Sequence, residues 1–178
     1  CHLQAEPANE IRNGIKAFAL EHQLDFFNPR DQEGFLRSLM IRNTKGGAFM
    51  VLIQFFRENK VQRENLLDHL KKHFDIASLL YCINSKANDS LYDQEIICYD
   101  GEKYIVEEME GLQFKINAKS FFQTNSEQAY ELYKIARDFA GLKGDELVYD
   151  LYTGTGTIAQ FIAKDCKKVV GVESVPEA

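Results

Sequence analysis

The chain has no tryptophan, only three prolines, and four cysteines so scattered that no two form a C-x-x-C pair. That scatter excludes a recognisable zinc module or a disulfide-stapled scaffold, since both need partners at characteristic spacings. No apolar run approaches the roughly 20 residues of a membrane-spanning helix, and no charged, apolar and small-residue series marks a secretory leader. A cytoplasmic protein with no membrane partner is the resulting expectation. Internal repeats, low-complexity tracts and an obvious linker are also missing, so nothing points to a repeat architecture. What is present suffices for a packed core: 178 residues, 45% of them hydrophobic and 12% aromatic. The net charge of -6 argues against nonspecific nucleic-acid binding by the whole surface. Its distribution is uneven, with six basic and three acidic residues from Arg30 to Lys60, and eight acidic residues against Lys103 from Ala87 to Gln113. A basic patch on one lobe suits phosphate; a solvated mixed-charge surface is the plainer reading.

Ile11, Ile15, Phe18 and Ala19 put a narrow apolar stripe on a surface helix over residues 8 to 21, with Pro7 at its start. Segments 35 to 42 and 48 to 56 read as a hairpin around Gly46-Gly47. Leu67, Leu70 and Phe74 mark a second amphipathic helix, and Leu79 to Ile83 returns to the same sheet. Strands are expected at Glu95 to Tyr99 and Tyr104 to Glu107, with turn chemistry at Asp100-Gly101, and another at Leu112 to Ile116. Their acid content suggests a solvent-facing edge. Cys82, Cys98 and Cys166 are expected to be buried thiols. Near Asn117 the pattern shifts from strands to a helix and a nucleotide-type loop, which places a domain boundary there.

Asn125 reads as a helix cap with Gln128 as its capping-box partner, and Ala129, Leu132, Tyr133, Ala136, Phe139 and Ala140 form a wide apolar face. Before that cap, Phe121 and Phe122 stand beside Gln123; the rings read as core anchors or as an aromatic wall, and a buried carboxamide would need partners. After it, Leu147 to Leu151, Thr153-Gly154-Thr155-Gly156, and Thr157 to Ala163 read as strand, glycine loop and helix, the opening of a doubly wound sheet. Gly154 and Gly156 let a ligand lie against bare amides. A second strand, Val169 to Val172, ends at Glu173, whose carboxylate can accept from both hydroxyls of a ribose. The loop also fits a G-x-G-x-x-A dinucleotide fingerprint. Asp150 argues against it, because a carboxylate there repels a pyrophosphate and suits a sulfonium cofactor with an α-amino group. A structural role for Asp150, capping loop amides, fits equally.

Together Cys1-His2-Leu3-Gln4, Ser120-Phe121-Phe122-Gln123-Thr124-Asn125 and Asp150-Leu151-Tyr152-Thr153-Gly154-Thr155-Gly156-Thr157 resemble the RNA uracil-C5 methyltransferase family. The resemblance runs along the whole chain and is nearest to bacterial members that act on 23S ribosomal RNA, while transfer-RNA members share the catalytic domain. It implies an α/β protein: a mixed α/β central domain, RNA-facing, over residues 1–117, then the first β-α-β part of a Rossmann-like S-adenosylmethionine-dependent methyltransferase domain, truncated, over residues 118–178. Carried over by position, it places S-adenosylmethionine against Gln123, Tyr152, Thr157 and Glu173, although many members have Asn at the position of Thr157 and Cys at that of Thr153. Cys1 matches the last of four ligands of a 4Fe-4S cluster. The family's chemistry adds a cysteine thiolate to carbon 6 of uracil, methylates carbon 5, and removes the carbon 5 proton with a base. The uridine leaves its stack for a pocket to which Phe121 and Phe122 are candidates. Nucleophile and base belong to D-P-P-R and C-N-P motifs that this sequence lacks, and both are expected downstream of Ala178. The chain is therefore expected to be an inactive fragment without catalytic residues of its own, with RNA as partner and a monomer as the default state. A nicotinamide- or flavin-dependent oxidoreductase and a non-catalytic RNA-binding module are the competing readings.

Overall fold

The computed structural model describes residues 3–175, and the chain divides into two compact units. One comprises the residues up to Asn43 together with Gly47–Ile105; the other comprises Thr44–Gly46 and the residues from Val106 onward. The division falls upstream of Asn117, because the hairpin between the two positions packs with the second unit.

In the first unit, α1 (Ala8–Glu21) buries Ile11, Ile15, Phe18 and Ala19. Strands β1 (Leu36–Asn43) and β2 (Phe49–Phe55) pair antiparallel. Every residue of β2 is buried, as befits a central strand that is apolar except for Gln54, whose side-chain oxygen accepts from the Asn84 amide. Helix α2 (Lys60–His73) is capped by Asn59, whose side chain accepts the Gln62 N–H. The helix carries the chain over so that β3 (Ser78–Ile83) runs parallel to β2, and β4 (Ile97–Gly101) closes the order β1-β2-β3-β4. Ile11 and Phe18 of α1 and Leu66, Leu67 and Leu70 of α2 share a core with Val51, Ile53, Phe55, Leu79 and Tyr81. Each such side chain contributes about 1.5–3 kcal/mol by leaving water. The basic excess of this region is largely engaged. Arg37 stacks on Phe27 and donates to the Asn84 and Lys86 carbonyls, Arg57 pairs with Asp25, and Lys60 pairs with Glu64.

In the second unit, β5 (Tyr104–Met109) and β6 (Leu112–Asn117) form a two-stranded sheet. Helix α3 (Ser126–Ala140) begins at Asn125, whose side chain accepts the Gln128 N–H, and ends at Gly141 in a left-handed conformation. Strand β7 (Leu147–Leu151), helix α4 (Thr157–Ile162), a single 3-10 turn and β8 (Lys168–Val172) complete it. β7 and β8 pair parallel in register from Leu147↔Lys168 to Leu151↔Val172. Met109, Phe114, Ala129, Tyr133, Phe161 and Ile162 make its core. Beside it, the Glu110 carboxylate takes bonds from Arg137, Lys164 and Tyr130, while the Arg137 guanidinium lies 4.4 Å from the Phe161 ring centroid.

Several expectations need correction. The Asp100-Gly101 turn does not pair the strands on either side of it, because β4 joins β3 while β5 joins β6. Glu107 is not a solvent-facing edge residue: it is 2% exposed, and its carboxylate accepts the Lys45 N–H and the Ser126 hydroxyl. Of the apolar positions on α3, Ala129 and Tyr133 are buried, but Leu132, Ile135 and Phe139 are exposed. Cys82 is buried, whereas Cys98 and Cys166 are half-buried. Among the described residues no helix is long and apolar enough to cross a membrane.

Candidate functional site

The loops that follow β7 and β8 both lie at the carboxyl ends of parallel strands, where open α/β sheets hold their ligands. Leaving β7, the backbone enters the left-handed region at Tyr152 (φ 61°), then again at Gly154 (φ 55°) and Gly156 (φ 73°). Glycine adopts such angles without strain, whereas for a tyrosine they cost of order 1 kcal/mol and mark the loop as a place of stored strain. The Tyr152 ring is 90% exposed. A Cβ built on Gly154 would meet nothing within 4 Å. Gly154 therefore serves the turn and leaves open space beside it.

Hydrogen bonds tie this loop to Asp150 and Glu173. Asp150 Oδ2 accepts the Thr153 hydroxyl at 2.7 Å and the Ala159 N–H at 3.0 Å. Glu173 Oε2 accepts the Gly154 N–H at 2.9 Å, while its Oε1 takes the N–H groups of Ser174 and Val175. The amides of Val175, Gly154 and Ser174 hold the Glu173 carboxyl below the usual carboxylate range. The Thr157 and Thr155 hydroxyls share a 2.8 Å bond, and Thr157 is buried at the head of α4.

The second group of expected residues sits at the head of α3. Asn117 Oδ1 accepts the Lys119 and Ser120 N–H groups, which folds the entry to this segment. Phe122 then packs its ring 6.1 Å from that of Phe114, but Phe121 is 75% exposed. Only Phe122 is an anchor; Phe121 faces solvent. Gln123 is exposed, and among the described residues no hydrogen bond joins it to Asp150, Glu173 or the glycine loop.

Two expectations fall at the chain's ends. Cys1, the expected cluster ligand, and Ala178, beyond which the nucleophile and base are expected, both lie outside the described residues. Among the described residues no group of three or more His, Cys, Asp and Glu could hold a metal ion.

Two contributors escape the motif reading. Thr153 bonds Asp150 through its hydroxyl, donates its N–H to the Val172 carbonyl, and accepts the Gly156 N–H. Gly171 of β8 leaves room for it, since a Cβ there would stand 3.0 Å from Thr153 Cγ2. A lone glycine within a strand signals such a close approach.

No family model matches the chain. A curated protein of Porphyromonas gingivalis, described as an uncharacterized RNA methyltransferase, is 56% identical over 181 residues, spanning 100% of this chain and 39% of its own length. A similarly described protein of Bacteroides thetaiotaomicron is 50% identical over 182 residues, with 100% and 40% covered. Along its whole length the chain is similar to proteins described as RNA methyltransferases. Among solved structures, the tRNA (uracil-54, C5)-methyltransferase of Pyrococcus abyssi in complex with S-adenosyl-L-homocysteine matches 96% of this chain and 41% of its own, with a TM-score of 0.77 at 29% identity. The chain thus spans about two fifths of the length of the relatives it matches.

Proposed function

We propose that this chain carries the methyl-donor half of an enzyme that methylates carbon 5 of uridine in RNA, with 23S ribosomal RNA as first candidate and transfer RNA as second. The observation that carries the reading is the bond from Gly154 N–H to Glu173, which joins the glycine loop to the carboxylate ending the next strand. S-adenosylmethionine fits what lies there: open space at Gly154, an exposed Tyr152 ring, and the Asp150 carboxylate beside the loop, whose anionic character would repel a pyrophosphate. When bound, it supplies an electrophilic methyl group on a sulfonium.

The chain's own residues have distinct parts in this reading. Glu173 receives ribose hydroxyls on lone pairs that its three amide donors leave available. Asp150 faces the cationic amino group, Tyr152 and Gln123 flank the cofactor, Gly154 and Gly156 shape the loop, and Thr157 closes it at α4. Phe121 is the candidate wall for an unstacked uracil, because an exposed ring offers a stacking face.

The nucleophile and base are proposed to lie downstream of Ala178, outside this segment. An attacking thiol needs a lowered pKa. Burial pushes the Cys98 thiol up, and it donates to the Asp100 and Gly101 carbonyls. Cys82 is buried, and the Cys166 thiol points to the Ile162 carbonyl. The exposed Leu147, Tyr149 and Leu151 of β7 fit a methyltransferase domain from residue 118 whose sheet continues beyond these two strands, since parallel sheets are normally covered on both faces. A 4Fe-4S cluster would need Cys1 and three ligands that the chain does not contain, and no step rests on it.

The test is transfer of a labelled methyl group from S-adenosylmethionine to 23S ribosomal RNA and to transfer RNA. A longer protein containing this segment should yield 5-methyluridine, and the 178-residue chain should yield none. A label on another base, or turnover by the chain alone, contradicts the proposal.

A further inference from the structure

Asp150 divides its two oxygens between different neighbours. Oδ2 takes both the Thr153 hydroxyl and the Ala159 N–H, and among the described residues Oδ1 accepts no hydrogen bond. Thr153 is itself fixed at three points: its N–H on Val172, its carbonyl under the Gly156 N–H, and its side chain against the bare Cα of Gly171. A β-branched side chain so held has little rotamer freedom. Its hydroxyl therefore approaches Asp150 from one direction and fixes the plane of the carboxylate. The negative charge is felt across the unit, because after burial Asp150 is the next cause that raises the Tyr133 hydroxyl above its ordinary range.

We infer that Thr153 is a positioning residue, which clamps Asp150 Oδ2 so that Oδ1 is presented to the cationic α-amino group of the methyl donor. The inference rests on the cofactor reading above and deepens it. Loop order and amino-group recognition are coupled through one carboxylate: the oxygen that is structurally engaged faces the loop, and the oxygen that is not faces the ligand. An ammonium–carboxylate bond is charge-assisted and sensitive to direction. Without the threonine hydroxyl, Oδ2 keeps only the Ala159 N–H, so the carboxylate gains freedom about its last bond and the aim of Oδ1 loosens.

The experiment compares two probes on the chain as it stands. S-adenosylhomocysteine carries the amino group, and 5'-methylthioadenosine lacks the whole amino-acid portion. Isothermal titration and amide chemical-shift mapping are run on the wild type, Thr153→Val and Thr153→Ser. In Thr153→Val, affinity for S-adenosylhomocysteine should fall about ten-fold while that for 5'-methylthioadenosine stays unchanged, and Thr153→Ser should restore the first. Equal weakening of both probes, or no weakening of either, overturns the positioning role and leaves the cofactor reading intact. A wild-type chain that binds neither probe overturns the cofactor reading, and this inference with it.

Discussion

Replacing Gly171 by alanine tests whether the contact between the two loop-bearing strands is as tight as the structure shows. Gly171 lies in β8, and its φ is outside the left-handed region, so alanine fits the local backbone. Taken alone, that change would gain roughly 0.5–1 kcal/mol. The new Cβ, however, would stand 3.0, 3.2 and 3.3 Å from Cγ2, Oγ1 and Cβ of Thr153. These atoms belong to a short branched side chain, so relief requires either a shift of the strand or a turn about χ1. The strand shift is overpacking, which costs about 1–3 kcal/mol. The turn gives up a hydrogen bond to the Asp150 carboxylate, worth about 1.5–3 kcal/mol. After the backbone gain, Gly171→Ala should be destabilising by about 1–2 kcal/mol. For a chain of this length the melting temperature should fall by roughly 2–8 °C. The assay is thermal and urea unfolding followed through the second unit, together with the double variant Thr153→Ala/Gly171→Ala. Removing Cγ2 and Oγ1 should cancel most of the crowding, so the two changes should be strongly non-additive. A Gly171→Ala protein as stable as the wild type, or additive effects in the double variant, would refute the packing argument.

Two further outcomes follow from the second unit. Glu110 is held at about 2, first by Arg137 and then by Lys164. A carboxylate depressed on folding stabilises fully above its ordinary value of 4.5, and the contribution is lost as pH falls towards the folded value. Glu110→Gln should therefore flatten the acid limb of stability between those values; an unchanged pH profile would remove the cluster from the account. Asn125→Ala removes the acceptor for the Gln128 N–H at the head of α3 and should cost about 1 kcal/mol in urea unfolding, with loss of amide protection confined to the first turn of the helix.

Much of this arrangement is legible in the sequence wherever local chemistry decides it. Asn125 and Gly141 bound α3 because a carboxamide cap and a left-handed glycine act within a few residues of themselves. The run of β2, apolar except for Gln54, announces a strand buried on both faces. The glycine loop and Glu173 stand out as a candidate site because strand, turn and carboxylate follow one another along the chain. What the sequence hides is set by partners distant in the chain. Glu107 looks like an edge acid, yet it serves the loop at Lys45 and the helix at Ser126. Turn residues at Asp100-Gly101 report a bend but not which strand lies across from each arm. Leu132 and Phe139 have the periodicity of a core face and remain exposed, since periodicity shows which face is apolar and not what covers it. Thr153 is invisible in the sequence as a functional residue, because its role exists only once Asp150, Val172 and Gly171 surround it.

The central claim is that the loop between β7 and α4, closed by Glu173, is a methyl-donor site. Calorimetric titration of the chain with S-adenosylhomocysteine, NADH and flavin adenine dinucleotide, in the wild type and in Glu173→Ala, tests it most directly. The account predicts binding of S-adenosylhomocysteine alone, weakened about ten-fold or more by the loss of a charge-assisted contact in Glu173→Ala. Binding of a dinucleotide in its place, or an affinity for S-adenosylhomocysteine indifferent to Glu173, would contradict it.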